Sequence, residues 1–414
     1  MDKIKFYADK GPFILEGIKN GSISKDIAIN FLQEELHEIL YSYVNGGFSK
    51  KGFIFYPLIK DLSEANTKKI WNLKTVAGFL HQNSCDFTNS LELYGKKKPD
   101  RNNAQFFISS LYRDFSKIKK TWVKSRKIKC QKFDFSQYSK SDMEYLQPVA
   151  ELKKFAAEEL KGLLVDFHIH GSIATKDYIK GWSDLDTFII IKKEAIDNPE
   201  SLVKLRNLLY NSKIYFYRID PLQHHGHMAT TEYDMDYYCQ AFFPTVLFKY
   251  SKSIFGNKSL NLRIRQCKAE NISRFCFFVD YFKSLHLSGK YSMGSYELKN
   301  FLHAVTLFPT MYLQAKNIHV YKKFSFAKAR KDFNKNGWEP IDAVTAIRER
   351  WKTPNNFPFV DAGANINPLL AYQINSRYWD LFNGIGRLNN IDAKSLVEKM
   401  DLLARNAAAR INFQ

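Results

Sequence analysis

The clearest hydrophobic pattern of the chain lies in residues 165–191, where two short apolar segments flank a polar loop. Residues 165–170 alternate apolar and polar side chains, which is the pattern of a strand with one buried face. Gly171 ends this alternation, because glycine permits a sharp turn of the backbone. The run from Phe188 to Ile191 is short and rich in β-branched residues, so it predicts a second, buried strand.

Helical periodicity dominates on both sides of these strands. Apolar side chains recur at intervals of three and four in residues 25–40, where Ser24 is placed to cap the helix, and most of residues 240–414 is predicted to be helical. We therefore predict an α+β protein in which a small mixed β-sheet lies between two helical regions. The predicted domains are a mainly helical N-terminal domain at 1–145, a sheet-containing core at 146–260 and a helical C-terminal domain at 261–414.

The composition favours a polyanionic partner. The chain has 414 residues and a formal net charge of +20, which favours binding to a nucleotide, RNA or DNA, although a solvated, lysine-rich surface also explains it. Residues 94–132 are the most basic stretch, with thirteen Lys or Arg side chains against two acids. No run of eighteen apolar residues and no signal-peptide core occurs, and the five cysteines are scattered without metal-binding spacing. We therefore expect a cytoplasmic protein without membrane attachment.

The two aspartates that open the second predicted strand carry the candidate chemistry. Residues i and i+2 of a strand point to the same face, so Asp184 and Asp186 present two carboxylates side by side while Leu185 points into the core. Two like charges this close repel each other, and a divalent cation such as Mg²⁺ removes the conflict. Gly171-Ser172 supplies backbone N–H groups and a hydroxyl that suit a phosphate.

These residues resemble the signature of the polymerase-β-type nucleotidyltransferase superfamily. Gly171-Ser172, a gap of eleven residues and Asp184-x-Asp186 are similar to its motif, and the resemblance covers roughly residues 150–260. Antibiotic nucleotidyltransferases, poly(A) and CCA-adding enzymes and oligonucleotide synthases belong to this superfamily. The resemblance implies that the two aspartates hold Mg²⁺ or Mn²⁺, that the Gly-Ser turn binds the triphosphate, and that a third carboxylate completes the metal site.

The third carboxylate of the motif has more than one candidate. If residues 214–220 form a strand, Asp220 lies at its end and is the first candidate for a metal ligand and catalytic base. If instead the helix continues through Tyr217, the strand falls at residues 223–231 and presents a histidine in place of an acid. The remaining candidates for the third ligand are His225, His227, Glu232 and Asp234.

The resemblance also implies the reaction. We expect transfer of a nucleoside monophosphate from a nucleoside triphosphate to a hydroxyl acceptor with release of pyrophosphate, and the acceptor is RNA, a nucleotide or a small molecule. In the family a helical C-terminal domain supplies lysines to the triphosphate, and the candidates here are Lys299, Lys316, Lys322 and Lys323. The alternative is a catalytically degenerate protein that binds a nucleotide or RNA on the same scaffold.

Overall fold

The two strands predicted on either side of Gly171 are present. The computed structural model of the chain describes residues 3–46, 63–265, 267–351 and 391–413. The strands within these ranges are β1 (Val123–Lys129), β2 (Gln131–Lys132), β3 (Leu164–His170), β4 (Asp186–Ile191), β5 (Met228–Thr231), β6 (Lys252–Ser253) and β7 (Ser259–Arg265).

The strands form two sheets. Five of them make a mixed sheet in the order β2-β6-β3-β4-β5, and β1 pairs with β7 as a separate antiparallel ribbon. In the larger sheet β3 runs antiparallel to β4, with His170 opposite Asp186, whereas β4 and β5 are parallel. The predicted α+β class with a small mixed sheet is thus confirmed at the level of secondary structure.

Helices make up most of the rest of the described chain. They are α1 (Lys3–Ala8), α2 (Gly11–Lys19), α3 (Lys25–Val44), α4 (Glu64–Gln82), α5 (Thr88–Lys96), α6 (Ala104–Lys117), α7 (Lys140–Tyr145), α8 (Gln147–Phe155), α9 (Gly171–Thr175), α10 (Lys193–Asp197), α11 (Pro199–Asn211), α12 (Lys213–Ile219), α13 (Glu232–Met235), α14 (Lys268–Leu287), α15 (Ser295–Ala315), α16 (Lys322–Arg330), α17 (Lys335–Arg350) and α18 (Ala393–Ala408). The Ser24 side chain caps α3 by accepting a hydrogen bond from the backbone N–H of Ile27, as predicted. None of these helices is long and apolar enough to cross a lipid bilayer.

The first choice for the third strand is wrong. Residues Lys213–Ile219 form the helix α12, and the strand that follows is β5, inside the alternative range 223–231. The aromatic and β-branched residues of this segment favour a strand by propensity, but packing decides otherwise. Phe216 packs into the core under the sheet, whereas Tyr217 packs against the C-terminal helices. Neighbouring side chains of a helix point in different directions, so a helix lets Phe216 and Tyr217 reach two separate cores.

Helices dominate the described part of residues 240–414, as predicted, but the strands β6 and β7 also lie in this range. Residues 352–390, which the same prediction covers, lie outside the described residues. Leu260, Leu262 and Ile264 alternate with polar residues along β7 and bury their side chains, which is the period of a strand. The pairing of β1 with β7 joins residues from the predicted N-terminal domain to residues on both sides of position 260. The predicted domain limits themselves stay predictions.

The strand β4 is buried on both faces. Ile189 and Ile191 belong to a core shared with the N-terminal helices, whereas Phe188 and Ile190 pack under the ribbon of β1 and β7. A third core is built by the C-terminal helices α14, α15, α17 and α18, and it includes Trp182 from the loop before β4. The N-terminal end of β4 therefore lies where the sheet meets the C-terminal helices.

Candidate active site

The carboxylates of the two predicted aspartates, Asp184 and Asp186, face the same imidazole. Asp186 is the first residue of β4 and Asp184 lies two residues before it. One imidazole nitrogen, Nε2 of His225, lies 3.4 Å from Asp184 Oδ2 and 3.2 Å from Asp186 Oδ1. Leu185 between them is fully buried, and its backbone N–H donates a hydrogen bond to Gln223. The alternation of a strand thus places both carboxylates at one site, as the sequence predicts.

The Gly-Ser bend lies directly beside this carboxylate pair. Gly171 follows the last residue of β3 and has a φ of +67°, a backbone conformation that favours glycine. A Cβ atom at this position would collide with the carboxylate of Asp186, so the absence of a side chain lets the bend and Asp186 approach. Ser172 is half-buried at the same bend. The bend and the carboxylate of Asp186 therefore lie side by side.

Three histidines surround the aspartates. His224 Nδ1 lies 3.3 Å from Asp184 Oδ2, and His303 Nε2 from helix α15 lies 3.4 Å from Asp184 Oδ1. The Asp184, His224 and His303 ligand atoms all lie within 4.8 Å of one another. Asp184 Oδ1 and these two ring nitrogens are buried and make no hydrogen bond within the described chain. The indole of Trp182 stacks on the His303 ring at 4.5 Å and fixes its plane.

Asp220 does not occupy the position that the sequence predicted for it. It caps the end of helix α12, is fully buried, and lies 2.7 Å from the ammonium group of Lys299. The same ammonium group lies 3.9 Å from Asp184 Oδ1. Lys299, predicted to contact the triphosphate, therefore lies between two buried carboxylates. His225 is the residue that the segment before β5 presents to Asp186.

Two more candidates from the sequence lie elsewhere. Lys316, just beyond the end of α15, pairs with Asp332 at 2.7 Å on the surface. His227 is fully buried in the core, where its two ring nitrogens are each 2.8 Å from a hydroxyl, those of Thr187 and Ser212. Neither residue belongs to the group that the structure gathers at Asp184.

The two acidic alternatives for the third ligand have structural roles of their own. Asp234 forms a capping box with Thr231 at the start of α13, and its carboxylate also accepts a hydrogen bond from Gln33. Glu232 accepts a hydrogen bond from the backbone N–H of Lys193, 2.9 Å away. Both carboxylates are thus used to hold elements around the sheet.

Burial and neighbouring charges set the protonation states of the site. Burial alone would raise the pKa of Asp184, but His303, His225 and Lys299 hold it well below its usual range. Burial lowers the pKa of His303 well below its usual range and that of His224 to about 4. These two imidazoles are therefore neutral at neutral pH, which is the form that binds metals.

His225 behaves differently from its two neighbours. Burial works to lower its pKa, but hydrogen bonding and charge from Asp184 and Asp186 raise it well above the ordinary value. In Asp220, burial raises the pKa to about 6, although Lys299 acts in the opposite direction. The protonated imidazole of His225 thus balances the charge of the carboxylate pair.

Two cationic side chains reach the site from the C-terminal helices. Lys322, the first residue of α16, is half-buried, and its pKa is lowered by burial and by Arg348, while Asp186 acts to raise it. The buried Nε atom of Arg348 has no hydrogen-bond partner within the described chain. Beside them, the Tyr321 hydroxyl lies 3.0 Å from the hydroxyl of Thr175 in α9.

The predictions from sequence missed His303 and Arg348. His303 had a readable signal, because it lies four residues after Lys299 in a predicted helix and must share its face. Arg348 had none, since it approaches Lys322 only through the packing of α17 beside α15 and α16.

Comparisons with known proteins returned no match, whether to a protein-family model, a curated protein or a solved structure. The functional assignment therefore depends on the geometry of the site.

Proposed function

We propose that this protein is a divalent-metal-dependent nucleotidyltransferase that moves a nucleoside monophosphate from a nucleoside triphosphate to a hydroxyl acceptor and releases pyrophosphate. The observation that carries the proposal is the contact between the Gly171 bend and Asp186, with Asp184 on the same side. Phosphate-binding and cation-binding groups thus lie within reach of one triphosphate.

The donor set at Asp184 fits a divalent cation. The two carboxylates suit Mg²⁺ or Mn²⁺, and the neutral imidazoles of His224 and His303 extend the set towards Mn²⁺ and other transition metals. The unpartnered atoms of Asp184, His224 and His303 are the ones that would hold the ion. A bound cation would stabilise charge on the attacking and leaving oxygens.

The protein's own side chains then have separable roles. Ser172 follows the glycine that contacts Asp186, and Lys322 interacts with both aspartates and with Arg348, so these three side chains would orient the phosphates. Asp186 is the more accessible carboxylate, with 29% of its side chain exposed against 4% for Asp184. Asp186 is therefore the group that can meet an acceptor hydroxyl and take its proton as the new P–O bond forms.

The ribbon of β1 and β7 supports a polyanionic acceptor such as RNA. Five exposed cations lie on it, and we call them the basic ribbon: Lys124, Arg126, Lys127, Lys129 and Arg263. No carboxylate within the described chain lies within 4.0 Å of their charged nitrogens. Five exposed cations on one ribbon without acidic partners attract phosphates, since phosphate binding releases condensed counterions.

The test is incubation with each labelled nucleoside triphosphate and Mg²⁺ or Mn²⁺, with and without RNA, followed by measurement of pyrophosphate release and label transfer. Asp186→Asn should lower the rate more than about a hundredfold, because metal-assisted charge stabilisation is worth several kcal/mol. Asp342→Asn, which removes a carboxylate from a surface ion pair with Arg330, is the matched control and should retain activity. Full activity of Asp186→Asn would contradict the proposal.

One observation favours a second candidate, a nucleotide- or RNA-binding protein without catalysis. The segment before β5 presents His225 to Asp186, and Asp220 is held by Lys299, so the described residues offer no free third carboxylate. For this candidate the same assay would show triphosphate binding without pyrophosphate release under any metal.

A further inference from the structure

A second cluster of side chains that could bind a metal lies along the middle of β3. It consists of Cys130, from the junction of β1 and β2, and of Asp166 and His168 on β3, and we call it the Cys-Asp-His cluster. Asp166 and His168 are two residues apart on a strand and therefore share one face of the sheet. Sγ, a carboxylate oxygen and a ring nitrogen of these residues all lie within 4.8 Å of one another.

The Asp166 and His168 side chains of this cluster are buried. Both side chains are 0% exposed, and Asp166 Oδ2 lies 3.0 Å from His168 Nε2. Despite this distance, neither atom makes a hydrogen bond within the described chain. Buried charged groups usually pair or coordinate a metal, because leaving them unsatisfied is costly. Two ligands of a tetrahedral zinc ion with bonds of about 2.0 Å lie roughly 3.3 Å apart, close to the separation seen here.

The remaining atoms of both side chains are already held in place. Asp166 Oδ1 accepts hydrogen bonds from the Ser253 hydroxyl at 2.7 Å and from the backbone N–H of Phe167 at 2.8 Å. His168 Nδ1 lies 3.1 Å from the Ser251 hydroxyl. Metal ligands are commonly oriented in this way by partners on their far atoms, which leave the near atoms for the ion.

We propose that Cys130, Asp166 and His168 bind a zinc ion that fastens the junction of β1 and β2 to β3. A thiolate, an imidazole and a carboxylate form a donor set that suits zinc and disfavours the hard ions Mg²⁺ and Ca²⁺. Cys130 loses its thiol proton to solvent when the sulfur–zinc bond forms. Cys130 is partly exposed, so a water molecule can approach from its side as the fourth ligand. This proposal does not depend on the proposed function.

The test is the absorption spectrum of the full-length protein after metal removal and loading with Co²⁺. A cobalt ion bound to Cys130 gives a sulfur-to-metal charge-transfer band, which the Asp184 site cannot give because none of its ligands is a sulfur. Cys130→Ser should abolish the band and remove about one zinc equivalent per chain, measured by elemental analysis, as expected for one tetrahedral site. Cys267→Ser, at a partly exposed cysteine outside the cluster, is the matched control and should leave both unchanged.

Two further measurements keep the outcome decisive. His303→Gln should preserve the charge-transfer band even if it abolishes nucleotide transfer, so failure of the proposed function and failure of the zinc site are distinguishable. If Cys130→Ser does not fold, the wild-type spectrum decides alone. Absence of the sulfur band in cobalt-saturated wild-type protein, or an unchanged zinc content in Cys130→Ser or His168→Gln, would overturn the proposal.

Discussion

Around Asp184 the chain matches buried acids with buried bases, whereas the basic ribbon leaves five cations at the surface without an acid. Asp184 and Asp220 share the ammonium group of Lys299, and one protonated imidazole bridges Asp184 and Asp186. On the ribbon, by contrast, Lys127 and its neighbours are exposed and meet no carboxylate. The charges of the first region are balanced by neighbours inside the fold, and those of the second face solvent.

Two lysines offer the sharpest test of this contrast, because both were candidates for nucleotide binding and their environments differ. Lys299→Met should destabilise the protein by about 3–5 kcal/mol, since it leaves Asp220 buried without its cation. Lys316→Met removes a partly exposed surface pair with Asp332 and should cost about 0–1 kcal/mol. Urea unfolding of both variants measures the difference in the free energy of unfolding.

The effect of Lys299→Met should also depend on pH. Burial already raises the pKa of Asp220 to about 6 with Lys299 present, and removal of the lysine raises it further. A carboxyl group whose pKa is raised by folding destabilises the folded protein while it is ionised. This destabilisation disappears as pH falls, because the folded protein favours the protonated form. The loss of unfolding free energy in Lys299→Met should therefore become smaller as the pH falls from about 8 to about 5. A pH-independent deficit would mean that Asp220 is not the group left uncompensated.

The next largest effect concerns the bend that meets the carboxylates. Gly171→Ala should cost roughly 1–2 kcal/mol for the positive φ and should also displace Asp186, so nucleotide transfer should fall at least about tenfold. Gly289→Ala is the matched control, because Gly289 has a φ of +62° and open space around its Cβ position. It should show the same strain with full transfer activity. Equal transfer activities of the two variants would show that the bend at Gly171 takes no part in the reaction.

Much of the central motif was predictable because it is local. The alternation in β3, the turn at Gly171 and the aspartate pair lie within about twenty residues, and strand geometry alone places Asp184 and Asp186 together. The third element was ambiguous for a physical reason. Residues 214–219 have strand-like composition, but their side chains are buried between two cores, and this packing imposes the helix α12.

The parts that the sequence could not supply depend on long-range packing. The Cys-Asp-His cluster joins residues 130 and 166–168, which carry no metal-binding spacing along the chain. Lys299 was recognised as a functional candidate, but only the docking of α15 against the loop before β4 shows that it binds two aspartates. Partners that meet through tertiary structure leave no periodic signal in the sequence.

The smallest effect on the fold, and the last test of the contrast, concerns the basic ribbon. Replacing Lys124, Lys127 and Lys129 by Gln should leave the free energy of unfolding within about 0.5 kcal/mol, because these side chains are exposed and unpaired. The slope of log affinity against log salt for single-stranded RNA should nevertheless fall by roughly 0.7 for each phosphate that the variant no longer neutralises. Three exposed lysines in surface ion pairs with glutamates form the control, which lowers the net charge equally: Lys96, Lys290 and Lys394. If both triple variants weaken RNA binding alike, net charge alone accounts for the affinity and the ribbon is not the acceptor surface.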